Sequence, residues 1–172
     1  ILSNTIVFFK DLLFLTSDQK KIWESLEKNS RLGISAPTSA GKSFIMCHHF
    51  VKFINENNCS GIYVVPNISL INQVTKDILE ILTRFNIKNI ELHQSYKEKN
   101  TKNNKIFVLT QERALSLLNT EDSKELNIQY AIFDEVQNIE RVTFEDNERS
   151  DDLLSTLFSV SNILKPDKIV LS

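Results

Sequence analysis

The chain has 172 residues, enough for one domain with a sizeable core, and a normal quarter of them are charged. A net charge of −2 excludes a global basic footprint for nucleic acid and leaves a local groove of backbone amides and polar side chains as the route to such a partner. Cys47 and Cys59 lack metal-ligand spacing, His48, His49 and His93 form no ligand set, and Lys10 and Asp11 interrupt the apolar start, so a disulfide scaffold, a zinc module and a membrane span are excluded and the cytoplasm is the expected compartment.

In chain order, the spacing predicts an apolar helix near Thr5 to Leu15, then a second helix through Lys28 with Ser17 as its N-cap. A short apolar run at Leu32 to Ser35 reads as a strand. A helix from Lys42 to about Asn57 follows, then a strand at Gly61 to Val65 ended by Pro66. Ser69 to Phe85 is amphipathic, with Leu70, Val74, Ile78, Ile81 and Leu82 on one face. Next come a strand at Asn89 to Leu92, a polar loop from Tyr96 to Lys105, a strand at Ile106 to Leu109 and a helix from Glu112 to Leu118. The series closes with a strand at Ile128 to Phe133, an acidic stretch, a helix near Asp151 to Leu164 and a strand at Lys168 to Leu171. Strands alternating with helices of this length predict an α/β fold, a parallel sheet with helices on both faces and ligands at the C-terminal strand ends. The lysines from Lys97 to Lys105 and the acids from Glu140 to Asp152 read as solvated loop or helix faces. The first residue is Ile1 and the last strand runs to the final residue, so a piece of a larger protein is expected.

Two segments carry chemistry. Ala36-Pro37-Thr38-Ser39-Ala40-Gly41-Lys42-Ser43 lies between a strand and a helix and reads as a phosphate-binding loop. Its backbone N–H groups and the helix N-terminus favour an anion. Lys42 is expected to reach the β- and γ-phosphates of a nucleotide and Ser43 to ligate Mg²⁺. The second segment is Asp134-Glu135-Val136-Gln137, at the C-terminal end of an apolar strand. Asp134 is expected to hold the metal through its water shell, and Glu135 to polarise the water that attacks the γ-phosphate. Together the two segments predict an ATP and Mg²⁺ site.

With these residues placed, the chain resembles the first RecA-like domain of a superfamily 2 helicase of the DEAD/DEAH-box type, nearest the superkiller-like branch. The resemblance runs from about Ser17 to Ser172, leaving residues 1–16 as a helix ahead of the motor domain. Ala36 to Ser43 matches motif I, where this family often has Ala in the first position; Thr38, Ser39, Ala40 and Gly41 then belong to the nucleotide cradle. Gln19 is similar to the family's adenine-reading glutamine. Pro66-Asn67-Ile68-Ser69-Leu70-Ile71-Asn72-Gln73 resembles motif Ia, which implies contacts from Pro66, Asn67, Ser69 and Gln73 to a nucleic-acid backbone. Thr110, Gln111 and Arg113 fall in a segment similar to the Thr-Pro-Glu-Arg element, with Gln111 in place of Pro. Helix capping accounts equally well for Asn67, Ser69 and Thr110. Asp134 to Gln137 matches motif II, with Gln137 where the nearest branches carry His or Asp, a position that couples the ATP site to motif III; superfamily 1 helicases also carry Gln there. Leu171-Ser172 looks like the opening of motif III, which gives Ser172 a coupling role.

What the resemblance implies is an ATP-dependent helicase or translocase that binds DNA or RNA, with a single strand favoured. Its hydrolysis depends on an arginine from a second RecA-like domain, so this segment alone is expected to bind nucleotide weakly and to turn it over slowly or not at all. Two other functions fit the same residues: a double-strand DNA translocase in a restriction or phage-defence complex, and a non-hydrolysing nucleotide-binding scaffold.

Overall fold

The computed structural model describes residues 4–35, 41–96, 103–136 and 154–172. Ala36 to Ala40, Gln137, the loop around Lys97 and the acidic stretch from Glu140 lie outside them, so the expectations for Thr38, Ser39, Ala40 and Gln137 fall outside the described residues.

The chain opens with a β-hairpin of β1 (Thr5–Phe8) and β2 (Asp11–Phe14), where the spacing had suggested a helix. The reason is steric and specific. Phe9 turns the chain with a φ of 54°, a left-handed conformation rare for a bulky aromatic. Its ring is held edge-on against Phe8 and tilted against Phe85. Phe8, Leu13 and Leu15 are buried in the same cluster as the helices that follow, so the described residues 4–16 do not form a separate leading helix.

Helix α1 (Ser17–Lys28) starts one residue earlier than expected. Thr16 is the N-cap, and a reciprocal pair of bonds joins it to Gln19: Gln19 N–H donates to Thr16 Oγ1 at 3.2 Å and Thr16 N–H donates to Gln19 Oε1 at 3.0 Å. Next come β3 (Arg31–Gly33), α2 (Lys42–Asn57), β4 (Ser60–Val65), α3 (Ile68–Arg84), β5 (Ile90–His93), β6 (Asn104–Thr110), α4 (Gln111–Leu118), β7 (Ile128–Phe133) and β8 (Lys168–Leu171). A 3₁₀ turn at Glu121–Leu126 precedes β7, and a helical segment over 154–159 passes into a π-helical turn at Val160–Leu164 before β8.

Among the described residues the main sheet has six strands in the order β3-β8-β7-β4-β6-β5, every neighbouring pair parallel. Its central strands are apolar at nearly every position because both faces are covered. Tyr63, Val65, Ile106, Val108, Tyr130, Ile132 and Val170 face α1, α2 and α3, whereas Ile62, Val64, Phe107, Leu109, Ala131, Phe133 and Ile169 face α4 and the π turn. That period of two across a doubly covered sheet is the α/β RecA-like arrangement the sequence predicts. Helix α3 buries Ile71, Val74, Ile78, Ile81 and Leu82, each contributing about 1.5–3 kcal/mol relative to exposure. With parallel strands, every βα junction opens on one edge of the sheet, and the candidate chemistry collects there.

Candidate active site

The loop after β3 reaches α2 through Gly41, whose φ of 68° is left-handed. A Cβ at this position would lie 2.5 Å from the Gln19 side-chain nitrogen. The backbone angle favours glycine here, whereas the Gln19 amide is the mobile end of a long side chain and could give way. The Gln19 oxygen is occupied by the Thr16 cap, so it is the amide nitrogen that meets the loop.

The N-cap of α2 is Gly41, which has no side chain, so among the described residues no side chain caps this helix, in contrast to α1 and to α3, where Asn67 Oδ1 accepts the Leu70 N–H at 3.0 Å. An uncapped helix N-terminus presents unpaired N–H donors and a partial positive charge. Lys42 stands in the first turn, 7% exposed, and Ser43 is half-buried beside it. This start can hold a multiply charged anion.

Across the edge, Asp134 and Glu135 follow β7. Asp134 N–H donates to Val64 O at 2.9 Å, fixing the residue to β4 just past the strand end. Its carboxylate accepts from Tyr63 Oη at 3.0 Å on Oδ2 and from Glu135 N–H at 3.0 Å on Oδ1. Glu135 has a φ of 56°, a left-handed conformation that costs an ordinary residue about 1–2 kcal/mol. Burial, reinforced by the neighbouring Cys47 and Asp134, pushes the Tyr63 phenol well above its usual ionisation range, so it stays a donor. Cys47 lies one turn after Ser43 on α2; burial, then the charges of Asp77 and Asp134, keep its thiol un-ionised. Both cysteines are buried and free.

Ser172 sits against the same segment. Its N–H donates to Phe133 O at 2.9 Å, and its carbonyl accepts Val136 N–H at 2.7 Å. The Ser172 hydroxyl is buried with no hydrogen-bond partner among the described residues.

The donor set is informative about metals. No group of three or more His, Cys, Asp or Glu side chains that could hold an ion occurs among the described residues. Among the described residues, the side-chain oxygens at this edge include the Ser43 hydroxyl and the Asp134 and Glu135 carboxylates, which form no closed all-protein cage. They suit a hard ion that keeps several waters and takes phosphate oxygens, as Mg²⁺ does.

Along the remaining strand ends, Pro66 is half-buried while Asn67, Ser69 and Gln73 are exposed. Asn67 is engaged as the α3 cap. Thr110 is buried at the start of α4 but makes no capping bond, with Gln111 half-buried next to it. The exposed Arg113 donates to Gln94 O at 3.0 Å, and Gln94 Nε2 donates to Thr75 Oγ1 at 3.1 Å. These two bonds link α4 and the segment just after β5 to α3. Sequence reasoning passed over Thr75, Gln94 and Tyr63. For Tyr63 a signal existed: a hydroxyl-bearing residue on the α2-facing side of a buried strand, near its C-terminal end.

The opposite edge holds a polar cavity of about 360 Å³ lined by residues including Glu27, His49, Lys52, Asp167 and Lys168. It is remote from the strand ends that carry Asp134 and the start of α2. No helix among the described residues is long and apolar enough to cross a membrane.

Comparison with known proteins gives one family. The family model described as DEAD/DEAH box helicase matches residues 16–167. An uncharacterized helicase of Caenorhabditis elegans, C28H8.3, is 30% identical over 134 residues, covering 70% of this chain and 8% of that protein. Among solved structures, the DUF1998 helicase MrfA aligns with a TM-score of 0.69 and 14% identity over 95% of this chain and 26% of its own. A nuclease-deletion mutant of the Type ISP restriction-modification enzyme LlaGI, in complex with a DNA substrate mimic, aligns with a TM-score of 0.57 and 13% identity over 92% of this chain and 17% of its own. At those identities the likeness is one of fold. The chain spans about a quarter or less of the length of these relatives.

Proposed function

Because the chain belongs to the DEAD/DEAH box helicase family and has the form of a first RecA-like motor domain, we propose that it is the ATP-binding half of a nucleic-acid motor. The observation that carries this reading is the uncapped start of α2, with Lys42 buried in its first turn, on the same sheet edge as the Asp134–Glu135 pair. Lys42 and the N–H groups of α2 bind the β- and γ-phosphates, with Thr38, Ser39, Ala40 and Gly41 completing the cradle. Gln19, whose side-chain nitrogen lies beside Gly41, reads the adenine. Ser43 and Asp134 would hold Mg²⁺, which when bound offsets charge on the phosphate oxygens. Glu135 accepts a proton from the attacking water and orients it. Gln137 and Ser172 couple this site to the strand after β7.

The nucleic-acid contacts belong to the neighbouring strand ends. Pro66, Asn67, Ser69, Gln73, Thr110, Gln111 and Arg113 offer hydroxyls, amides and one cation to a DNA or RNA backbone, contacts that do not depend on base sequence. Hydrolysis requires an arginine from a second RecA-like domain, so these 172 residues alone hydrolyse ATP slowly or not at all. The test is nucleic-acid-stimulated ATPase activity of the intact protein and of its Lys42→Ala and Glu135→Gln variants. Unchanged turnover in both variants overturns the assignment.

A second reading, a double-strand DNA translocase within a restriction or phage-defence assembly, is favoured by the fold likeness to LlaGI. ATPase stimulation by duplex DNA without strand separation would select it. A non-hydrolysing scaffold fits less well, since Lys42, Ser43, Asp134 and Glu135 are all present.

A further inference from the structure

We infer that Tyr63 is a positioning residue for the metal-holding carboxylate, fixing the plane of Asp134 from beneath the site; this rests on the reading of Asp134 given above. Tyr63 is fully buried on β4, a strand flanked by β6 and β7, and its backbone is in register with Val108 on one side and Ile132 on the other. Its ring packs edge-on against Phe50 of α2 at 5.9 Å. The phenol therefore has little freedom, and its oxygen lies 3.0 Å from Asp134 Oδ2.

The second carboxylate oxygen is restrained from the other side, by the Glu135 N–H at 3.0 Å. A carboxylate offers about four lone-pair sites. Two are taken by these donors, one on each oxygen, which fixes the plane of the group and leaves the remaining two at a set orientation. A side chain meant to hold a hydrated ion needs that orientation settled beforehand, and partners that settle it typically change metal affinity 10- to 100-fold when removed. A buried tyrosine hydroxyl also needs some acceptor for its own sake. The arrangement goes further than that need, because the acceptor is the first residue beyond the strand and is held at three points: its main-chain N–H by Val64, one carboxylate oxygen by Glu135 and the other by Tyr63.

The experiment measures Mn²⁺ binding to the intact protein by electron paramagnetic resonance, with ADP present so that no turnover intervenes. Tyr63→Phe is expected to weaken Mn²⁺ binding about 10-fold or more while leaving metal-free ADP binding unchanged. Replacing Tyr63 with 4-aminophenylalanine, which keeps a donor at the ring terminus, is expected to restore much of the loss. In an Asp134→Asn background, Tyr63→Phe is expected to add nothing. Wild-type Mn²⁺ affinity in Tyr63→Phe overturns the inference, as does a loss the donor-bearing analogue fails to relieve, which would reflect packing alone. Asp134→Asn separates the two levels: if that variant also binds Mn²⁺ normally, the assignment of Asp134 itself fails.

Discussion

The two edges of the parallel sheet differ in how some of their polar groups are matched. At the N-terminal edge they find protein partners. Lys168 donates to Leu26 O and, at 2.6 Å, to Asn29 O, closing the end of α1. Arg31 donates to the carbonyls of Ser30, Pro166 and Asp167, each at 3.0 Å. Lys52 bridges Glu27 and Glu56 at 3.0 and 3.1 Å. At the C-terminal edge Asp134 and Asn67 are matched, but among the described residues no side chain caps α2, the Ser172 hydroxyl is buried without a partner, and Thr110 makes no capping bond to α4. Lys42, 7% exposed, has no carboxylate within ion-pair distance among the described residues. Groups matched internally stabilise the fold, whereas groups left unmatched are available to a ligand.

The sharpest way to break this contrast is to remove the chemistry at the C-terminal edge and ask whether stability notices. Glu135→Gln is expected to lower nucleic-acid-stimulated ATP turnover of the intact protein about 10²–10⁴-fold, and Lys42→Ala about 10²–10³-fold. Calorimetry should find Lys42→Ala as stable as the parent or slightly more so, because Lys42 has no carboxylate partner among the described residues. Wild-type turnover in both would dissolve the contrast at this edge.

The reverse experiment belongs to the other edge. Lys168→Met strands two carbonyls at the end of α1 and is expected to cost about 2 kcal/mol, read as a fall of several degrees in the melting temperature, with nucleotide affinity unchanged. A loss of nucleotide affinity equal to that of Lys42→Ala would show that the edges are not independent.

A pH dependence follows from His49, which sits between Tyr130 and Glu27 near the same end. Burial, then the charges of Lys168 and Lys52, lower its pKa to about 3. The unfolded chain binds a proton at this residue near its ordinary 6.5, while the folded chain does not. Stability from this source is therefore full above about pH 6.5 and lost as pH falls toward 3, with a slope of at most about 1.4 kcal/mol per pH unit. Urea unfolding at pH 7 and pH 5 measures it, and His49→Gln should flatten the slope. The smallest effect is expected from Asn67→Ala, about 1 kcal/mol for the lost cap. If nucleic-acid affinity also falls, Asn67 serves both capping and binding.

Much of this was legible beforehand where one residue type has one physical use. The alternation of apolar strands with amphipathic helices points to the parallel sheet, and Gly41-Lys42-Ser43 and Asp134-Glu135 fall at the same edge of it. The hairpin at Thr5 to Phe14 escaped because its turn carries Phe9 in a left-handed conformation rather than Gly or Asn, and because apolar residues occupy both of its faces. Inner Phe8 and Leu13 are buried while outer Val7, Leu12 and Phe14 are exposed, so no period of two could separate strand from helix. Ser17 was read as the cap of α1 because Ser-Asp resembles a helix start, but the reciprocal bonds with Gln19 belong to Thr16. Tyr63 and Lys168 were read as strand residues, since the roles of a phenol and an ammonium on a buried strand depend on which neighbours the sheet order brings near. Local sequence does not contain that order.

The ladder between β7 and β8 does not end where the strands do. Ser172 continues it by one rung on each side, bonding to Phe133 before the acidic pair and to Val136 after it. Glu135, in its left-handed conformation, is therefore a link clamped at both ends to a single residue of the neighbouring strand. The peptides on either side of the acidic pair are thus tied to one position of the neighbouring strand, which limits how far that short segment can shift without breaking a main-chain bond.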